Sequence, residues 1–324
     1  MRRRSFLKLA AATPLITPLA TPAIAQPQWP TKPVRLIVPF AAGGGTDVTA
    51  RPWADKLGQI FGQPFVVENR GGASGLIGTE VVVRSPADGY TFLISSNTST
   101  VNLPLLRKVP YEPGQLEPIA RMGDAVTGFA INTANNLKTF KEMLDFAKKN
   151  PGKLTFGSSG PGTATHLRLE MLKYRTGADI LHVPYRGGAD SIIDLLSNNV
   201  NMMNEPIVNQ HSKPGGKLHL LNINHSERHP DFTDVPTLTE LGYPDSDVAI
   251  WISLWAPTGV PADIQKRLND VINEESKKPD MVAKLRLAGS APVIQSIPDL
   301  VKFRAHETAQ MIDLIKRANI KIES

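Results

Sequence analysis

The sequence of 324 residues contains no cysteine. Thiol nucleophiles, disulfide frameworks and cysteine-ligated metal sites are therefore excluded. Aromatic residues are sparse at 6%, and charged residues make up only 20% of the chain. Together with steady apolar segments, this composition argues against intrinsic disorder. The length, with a hydrophobic fraction of 41%, is sufficient for two ordinary domains with a substantial core.

The sequence also has no apolar run long enough to cross a bilayer. Residues 1–25 join a basic stretch, MRRRSFLK, to a mildly apolar one interrupted by prolines. The tripeptide AIA at 23–25 fits a signal-peptidase site, and RRSFLK at 3–8 fits a twin-arginine export signal. We therefore predict a cleaved signal peptide and a mature protein exported to the periplasm. A basic membrane anchor is the weaker interpretation.

The excess of positive charge is concentrated in that N-terminal segment. Residues 1–25 hold four basic residues and no acidic one, so the formal net charge falls from +6 to +2 without them. A mature chain with so little net charge does not have the basic character of nucleic-acid-binding proteins. No nucleic-acid partner is expected.

Short apolar runs alternate with helical patterns along the mature chain, as in α/β proteins with mostly parallel sheets. Strands are predicted at 34–40, 64–69, 90–96, 127–133, 153–159, 178–185 and 248–257, with further candidates at 200–205 and 218–224. Helices are predicted at 47–62, 75–85, 139–151, 164–177, 189–199, 261–276 and 298–318. Thr139 and Glu142 form a capping-box pattern at the start of the third helix.

Polar turns rich in glycine, serine and threonine follow several of these strands. They are PFAAGGGTD (39–47), SSNTST (95–100), GSSGPGTATH (157–166) and PYRGGAD (184–190). The first amides of a helix have no intrahelical partner and carry partial positive charge, and glycine lets a ligand approach the backbone. Such turns can hold a carboxylate or a phosphate without a charged side chain. For any single turn, simple chain reversal is the alternative.

The sharper sequence motifs are incomplete. The dinucleotide fingerprint fails because Val48 stands where the third glycine is needed, although Glu68 lies where a ribose partner could sit. The lysine of a P-loop and the serine elbow of a hydrolase are absent. An exported oxidoreductase with a nucleotide cofactor is kept as the alternative function. A hydrolase that uses Ser158 or Ser159 with His166 is a weaker one.

Histidines do not form a convincing metal site in the sequence. His225 and His229, with Glu227 between them, lie in a predicted loop that ends at Pro230, so we interpret them as solvated loop residues. His182 lies in an apolar strand and is predicted to be a satisfied core residue. No metal and no cofactor is predicted.

Seven segments, in this order and spacing, resemble the periplasmic solute receptors of tripartite tricarboxylate transporters, also called Bug-type receptors. They are residues 29–51, 66–80, 87–96, 156–167, 181–200, 234–244 and 255–264. The resemblance implies a two-lobed Venus-flytrap fold of the type II periplasmic binding protein kind, with each lobe a mostly parallel sheet flanked by helices.

The resemblance also implies how the lobes are divided and what they bind. Lobe 1 would comprise residues 26–125 and 250–324, and lobe 2 residues 126–249. A monomeric, non-enzymatic receptor would hold a small carboxylate between the lobes and deliver it to the membrane subunits of the transporter. A dicarboxylate, a tricarboxylate, an aromatic acid and an amide all stay open as the ligand.

The ligand contacts implied by the resemblance come from the polar turns of both lobes. In lobe 1 they are Ala42, Gly43, Gly44, Thr46, Asp47, Ser95 and Ser96. In lobe 2 they are Ser158, Ser159, Gly160, Thr163, His166, Arg186, Asp190 and Asn204. The carboxylate of Asp47 would repel an anion placed close to it, so it is expected to hold a water molecule or an ammonium group instead.

Overall fold

The computed structural model describes residues 29–205, 216–225, 227–243 and 249–321. The predicted signal peptide at 1–25 lies outside the described residues. None of the helices in the described part of the chain is both long enough and apolar enough to cross a membrane.

Six strands form the larger sheet, in the order β11-β4-β10-β3-β1-β2. They are β1 (Val34–Val38), β2 (Phe65–Asn69), β3 (Thr91–Ser96), β4 (Leu116–Ala125), β10 (Trp251–Pro257) and β11 (Ser290–Ala291). Every residue of β3 and of β10 is buried, as expected for strands covered on both faces.

Five strands form the smaller sheet, in the order β7-β6-β8-β5-β9. They are β5 (Gly128–Asn132), β6 (Leu154–Ser158), β7 (Ile180–Pro184), β8 (Met202–Glu205) and β9 (Leu218–Leu220). The last of these is shorter than the predicted strand 218–224, because Ile223 and Asn224 form only isolated bridges.

Both sheets are mixed, which corrects the expectation of mostly parallel sheets. Strand β1 is parallel to β2 and β3, and β6 is parallel to β7 and β8. These strands alternate with helices, and a helical crossover returns the chain in the same direction. By contrast, β10 runs antiparallel to β3 and β4, and β5 runs antiparallel to β8 and β9.

Helices pack on both sheets. They are α1 (Gly45–Phe61), α2 (Leu76–Val83), α3 (Leu103–Leu106), α4 (Phe140–Lys149), α5 (Ala164–Thr176), α6 (Gly188–Leu196), α7 (Ala262–Glu275), α8 (Pro279–Leu287) and α9 (Ile297–Arg317). The short helices α3 and α8 are not predicted from the sequence. At α4 the predicted capping box is confirmed, with Thr139 Oγ1 accepting from the Glu142 amide and the Glu142 carboxylate accepting from the Thr139 amide.

Each sheet has a separate hydrophobic core. We call the larger sheet with α1–α3 and α7–α9 lobe 1, and the smaller sheet with α4–α6 lobe 2. The fully buried Trp53 belongs to the first core and donates its indole N–H to the Met122 carbonyl. Phe129 and Phe156 pack together in the second core. Separate cores allow the lobes to move as units.

The chain passes from lobe 1 to lobe 2 between β4 and β5. Gly128 begins β5 where the backbone of another segment comes very close, because a Cβ at this position would lie 2.0 Å from the carbonyl oxygen of Asn222. Only a residue without a side chain fits there.

We expect Gly128→Ala to lower the free energy of unfolding by at least about 2 kcal/mol, since a backbone oxygen cannot move aside as a side chain can. Calorimetric unfolding measures the change. Gly114→Ala is the matched control, because no atom lies within 4 Å of its Cβ position. Equal stability of the two variants would contradict the close approach.

Candidate functional site

A partly open cavity lies between the lobes. Lobe 1 contributes the turn after β1, the end of β3 with Thr98 after it, the end of β4, and the residues before and at the start of β10. Lobe 2 contributes the starts of α5 and α6. The lining residues are Phe40, Gly44, Gly45, Thr46, Ser96, Thr98, Ala125, Ser159, Thr163, Ala164, Thr165, Gly188, Ile250 and Ile252.

The first wall of the cavity is the start of α1. Gly44 is the N-cap residue and makes no side-chain cap. The turn before it needs glycine, because Gly43 has a φ of +82°. Helix starts expose amides that have no partner within the helix, so Gly45 and Thr46 bring partial positive charge to the cavity wall.

Asp47 supports this turn from behind and does not line the cavity. Its carboxylate accepts hydrogen bonds from the Gly43 amide at 2.8 Å, from Arg51 at 2.9 Å and from Asn69 at 2.9 Å. Burial alone would raise the pKa of Asp47, but these hydrogen bonds outweigh it and hold the pKa below its usual value. The charge of Asp47 is thus already compensated within the chain, and its holding a water molecule or an ammonium group stays a prediction.

The second wall is the turn between β6 and α5. It contains Gly160 and Gly162 in positive-φ conformations. Thr163 caps α5, accepting from the His166 amide, and its hydroxyl donates to the Gly160 carbonyl at 2.7 Å. These bonds fix the turn, so that Ser159 and Thr163 lie at the cavity.

Two stacked histidines lie under this turn. His166 Nδ1 accepts from the Gly162 amide at 3.0 Å, and the His182 ring stacks on the His166 ring at a centroid distance of 3.9 Å. His182 Nε2 forms a 2.6 Å hydrogen bond with the hydroxyl of the fully buried Ser158. The sequence predicted His182 as a satisfied core residue, but it gave no indication of these partners.

The histidines also shape the local electrostatics. Burial, followed by the charge of His166, lowers the pKa of His182 to about 4. Burial would raise the pKa of Glu170, but hydrogen bonds from His166 and Lys173 outweigh it and lower that pKa to about 2. His182 is therefore neutral and Glu170 charged at neutral pH.

The two lobes touch around the cavity. Ser74 of lobe 1 donates to the Pro161 carbonyl of lobe 2 at 3.0 Å, and the Ala164 amide donates to Thr98 Oγ1 at 3.3 Å. A Cβ on Gly187 would lie 3.2 Å from the Cβ of Ala41. The structure is therefore a closed arrangement of the lobes.

The predicted site residues fall into three groups. Gly44, Thr46, Ser96, Ser159 and Thr163 line the cavity. A second group lies in the same turns but behind the lining: Asp47, Ser95, Ser158, Gly160 and His166. The third group lies away from the cavity: Ala42, Gly43, Arg186, Asp190 and Asn204.

Four residues of the third group share one property: they are exposed and do not line the cavity. They are Ala42, Gly43, Arg186 and Asp190. Asn204 is instead fully buried, accepting from Arg168 Nη1 at 2.7 Å and donating to Asn224 at 2.7 Å. The structure thus does not place these five predicted contacts at the ligand cavity.

The sequence missed lining residues of two kinds. Thr98, Thr165 and Gly188 lie within the polar turns identified from the sequence and could have been chosen from that signal. Ile250 and Ile252 carried no such signal, because their apolar segment looks the same as a buried strand.

The residues behind the other functional interpretations have different partners. Glu68, considered for a ribose, accepts a bidentate pair of hydrogen bonds from Arg35 at 2.7 and 3.0 Å. His225 and His229 each accept a local backbone amide through Nδ1. Within the described ranges, no group of three or more His, Cys, Asp or Glu side chains could hold a metal ion.

Comparison with known proteins identifies the family. The family model described as "Tripartite tricarboxylate transporter family receptor" matches residues 49–320. The chain belongs to this receptor family. The BugT protein of Bordetella pertussis is 35% identical to it over 314 residues, covering 94% of this chain and 96% of BugT.

Solved structures show the same two-lobed fold. The periplasmic binding protein BugD matches with a TM-score of 0.85 at 31% identity, covering 91% of this chain and 100% of BugD. Rpa4515 of R. palustris, solved with adipate, matches with a TM-score of 0.85 at 30% identity, with coverages of 90% and 99%. MatC of Rhodopseudomonas palustris, solved with malate, matches with a TM-score of 0.81 at 25% identity, with coverages of 89% and 100%.

The lowered pKa of His182 makes the stability of the receptor depend on pH. Between pH 6.5 and 4 the unfolded chain binds a proton at this histidine that the folded chain does not, so the free energy of unfolding falls as the pH falls. We expect the melting temperature to drop between pH 7 and pH 5, with roughly 2–4 °C of the drop due to His182.

Scanning calorimetry of His182→Gln checks this, because the variant removes the titration but keeps a polar side chain near Ser158. Its melting temperature should fall less than that of the wild type. The exposed His306, changed to Gln, is the control and should leave the wild-type slope intact. If the melting temperature of His182→Gln falls with pH as steeply as that of the wild type, the neutral state of His182 is contradicted.

Proposed function

We propose that this receptor captures a small carboxylate between its lobes, in the periplasm, and presents it to the membrane subunits of a tripartite transporter. The single observation that carries the proposal is the convergence of the starts of α1 and α5, from opposite lobes, on one cavity. The adipate bound by Rpa4515 and the malate bound by MatC are both small carboxylates, which supports the same ligand class.

The helix starts are suited to a carboxylate because they offer amide donors and partial positive charge. Hydrogen bonds to a charged group contribute roughly 1.5–3 kcal/mol each. Micromolar affinity corresponds to about 8 kcal/mol, so a few such bonds from Gly45, Thr46 and Thr165, with the Ser96 and Ser159 hydroxyls, are sufficient.

Ligand binding would favour the closed arrangement because the ligand contacts both lobes there. The proposed division into residues 26–125 with 250–324, and 126–249, agrees with the strands that each sheet contains. A hinge at the two crossings would absorb the backbone rotation as the lobes close. The transporter would then recognise the closed shape.

The proposal extends to export and assembly. Residues 1–25 are a cleaved signal peptide of the twin-arginine kind, and the mature receptor is a monomer without cofactor, nucleic-acid partner or catalytic activity.

The alternative functions have less support. For an oxidoreductase with a nucleotide at the first turn, the reason is that Glu68 is bound to Arg35. The hydrolase has less support because Ser158 contacts His182 within a buried turn.

A thermal-shift screen of small carboxylates on the mature protein tests the function. A ligand that binds only the native state raises the melting temperature, and at a hundred times its dissociation constant it contributes about 2.7 kcal/mol. We expect at least one di- or monocarboxylate to give a clear rise. A panel of such acids without any rise at millimolar concentration would overturn the proposal.

Gly44→Val should weaken ligand binding at least about tenfold in calorimetric titration. A Cβ at Gly44 would lie 3.4 Å from the Ala41 carbonyl and 3.9 Å from the Gly188 amide, so the methyl groups of valine would enter the cavity between the lobes. The φ of −76° at Gly44 accepts a side chain, and the fold should be retained. Gly114→Val, in open space, is the control; equal affinities of both variants would contradict the site.

Ser159→Ala should lower the affinity for the same ligand by roughly five- to tenfold, which corresponds to the loss of one hydrogen bond. Ser85→Ala is the matched control, because Ser85 donates to the Val81 carbonyl far from the cavity. Calorimetric titration of both variants separates them. Unchanged affinity in Ser159→Ala would remove its hydroxyl from the site.

A further inference from the structure

The cavity has an apolar floor under its polar walls. The floor consists of Phe40, Ala125, Ile250 and Ile252, all from lobe 1. Some of its backbone groups already have partners: the Ala125 amide donates to the Ile250 carbonyl at 2.8 Å, and the Phe40 carbonyl accepts from the Asn69 side-chain amide at 3.1 Å. A ligand lying on this floor therefore meets hydrocarbon.

The polar walls present mainly hydrogen-bond donors. The amides at the starts of α1, α5 and α6 can only donate. The Thr163 hydroxyl donates to the Gly160 carbonyl, so at 3.0 Å it accepts from the Thr165 hydroxyl. Thr98 Oγ1 already accepts from the Ala164 amide. These walls suit acceptors such as carboxylate oxygens, and the described lining residues offer no charged acceptor to an ammonium group, which can only donate.

Ionisable side chains do not line the described part of the cavity. The nearest acid of the α1 turn, Asp47, is bound to Arg51 and Asn69. The fully buried Arg168 contacts Thr127 and Asn204 instead of the cavity. An ammonium group on a ligand would thus be buried without a counter-ion, which is strongly unfavourable.

We propose that the receptor selects carboxylates whose carbon skeleton carries no amino or hydroxyl substituent. This rests on the proposed function, since it assumes that the acid group lies at the helix starts. The methylene groups of the ligand then lie on the floor, where each buried methylene raises the affinity about fourfold. A hydroxyl that lies against Phe40, Ala125 or Ile250 loses its hydration without a partner, and an ammonium group loses more.

Three matched series of acids test the proposal by calorimetric titration. They are succinate, malate and aspartate; glutarate, 2-hydroxyglutarate and glutamate; and butanoate, 2-hydroxybutanoate and 2-aminobutanoate. Within a series only one substituent changes, so chain length and charge of the acid groups do not confuse the comparison. We expect the unsubstituted acid to bind at least about tenfold more tightly than the hydroxy acid and a hundredfold more tightly than the amino acid.

The outcomes separate the inference from the proposed function. Binding of an amino acid or a hydroxy acid as tightly as its parent would overturn the inference and leave the carboxylate receptor in place. Absence of binding by all nine acids would overturn both. Tight binding of an unsubstituted acid, together with the expected loss of affinity in its hydroxy and amino analogues, supports both.

Variants of the floor give an independent readout. Ile252→Thr places a hydroxyl on the floor and should narrow the ratio of parent to hydroxy-acid affinity several-fold. Ile272→Thr makes the same change at a fully buried position of the same core that does not line the cavity, and it should leave the ratio unchanged. If the ratio of parent-acid to hydroxy-acid affinity is unchanged in Ile252→Thr, the proposal that the ligand skeleton contacts the floor is overturned.

Discussion

The structure depends on helix-start amides that have no partner within their helices. The first amides of α1 and α5 come from different lobes and meet at one cavity. Elsewhere such groups are capped by side chains or water, but the N-cap of α1 is Gly44, which has no side chain to offer. The one nearby carboxylate, Asp47, accepts from the Gly43 amide and Arg51 instead. The first amides of α1 are therefore left for a molecule from outside the chain. At α5 the Ala164 amide already donates to Thr98, and the cap Thr163 accepts from the His166 amide.

The groups behind the cavity keep the turns in shape without adding charge to its lining. Asp47 and Arg51 neutralise each other under the first turn, and His166 accepts the Gly162 amide under the second. The contacts across the lobes are of several kinds. The Ser74 hydroxyl donates to the Pro161 carbonyl, Arg286 of α8 pairs with Asp231, and apolar residues of α5 pack against α9. A ligand held between the lobes would add its own contacts to these in the closed arrangement.

The sequence predicted turns, helix caps and secondary structure, but it did not predict which residues of a turn face the cavity. The glycine turn at Gly43, the cap at Thr139 and the strand-to-helix alternation each follow from the preferences of neighbouring residues. Whether a turn residue faces the cavity depends on the other lobe, so Arg186 was expected inside and lies exposed. Ile252 was invisible for the opposite reason, since a strand residue that lines a cavity looks like one that fills a core.

The antiparallel strands place the floor of the cavity beside the proposed hinge. Strand β4 ends at Ala125 and β10 begins at Trp251, and the two strands are hydrogen-bonded neighbours in the larger sheet. Both connections to lobe 2 therefore leave lobe 1 side by side, which permits rotation about one line. Ala125 and Ile250 lie on that line and also form the floor. A ligand on the floor would contact the proposed hinge and the cavity walls of both lobes at once. Even a small molecule would then bind best when the two lobes are closed on it.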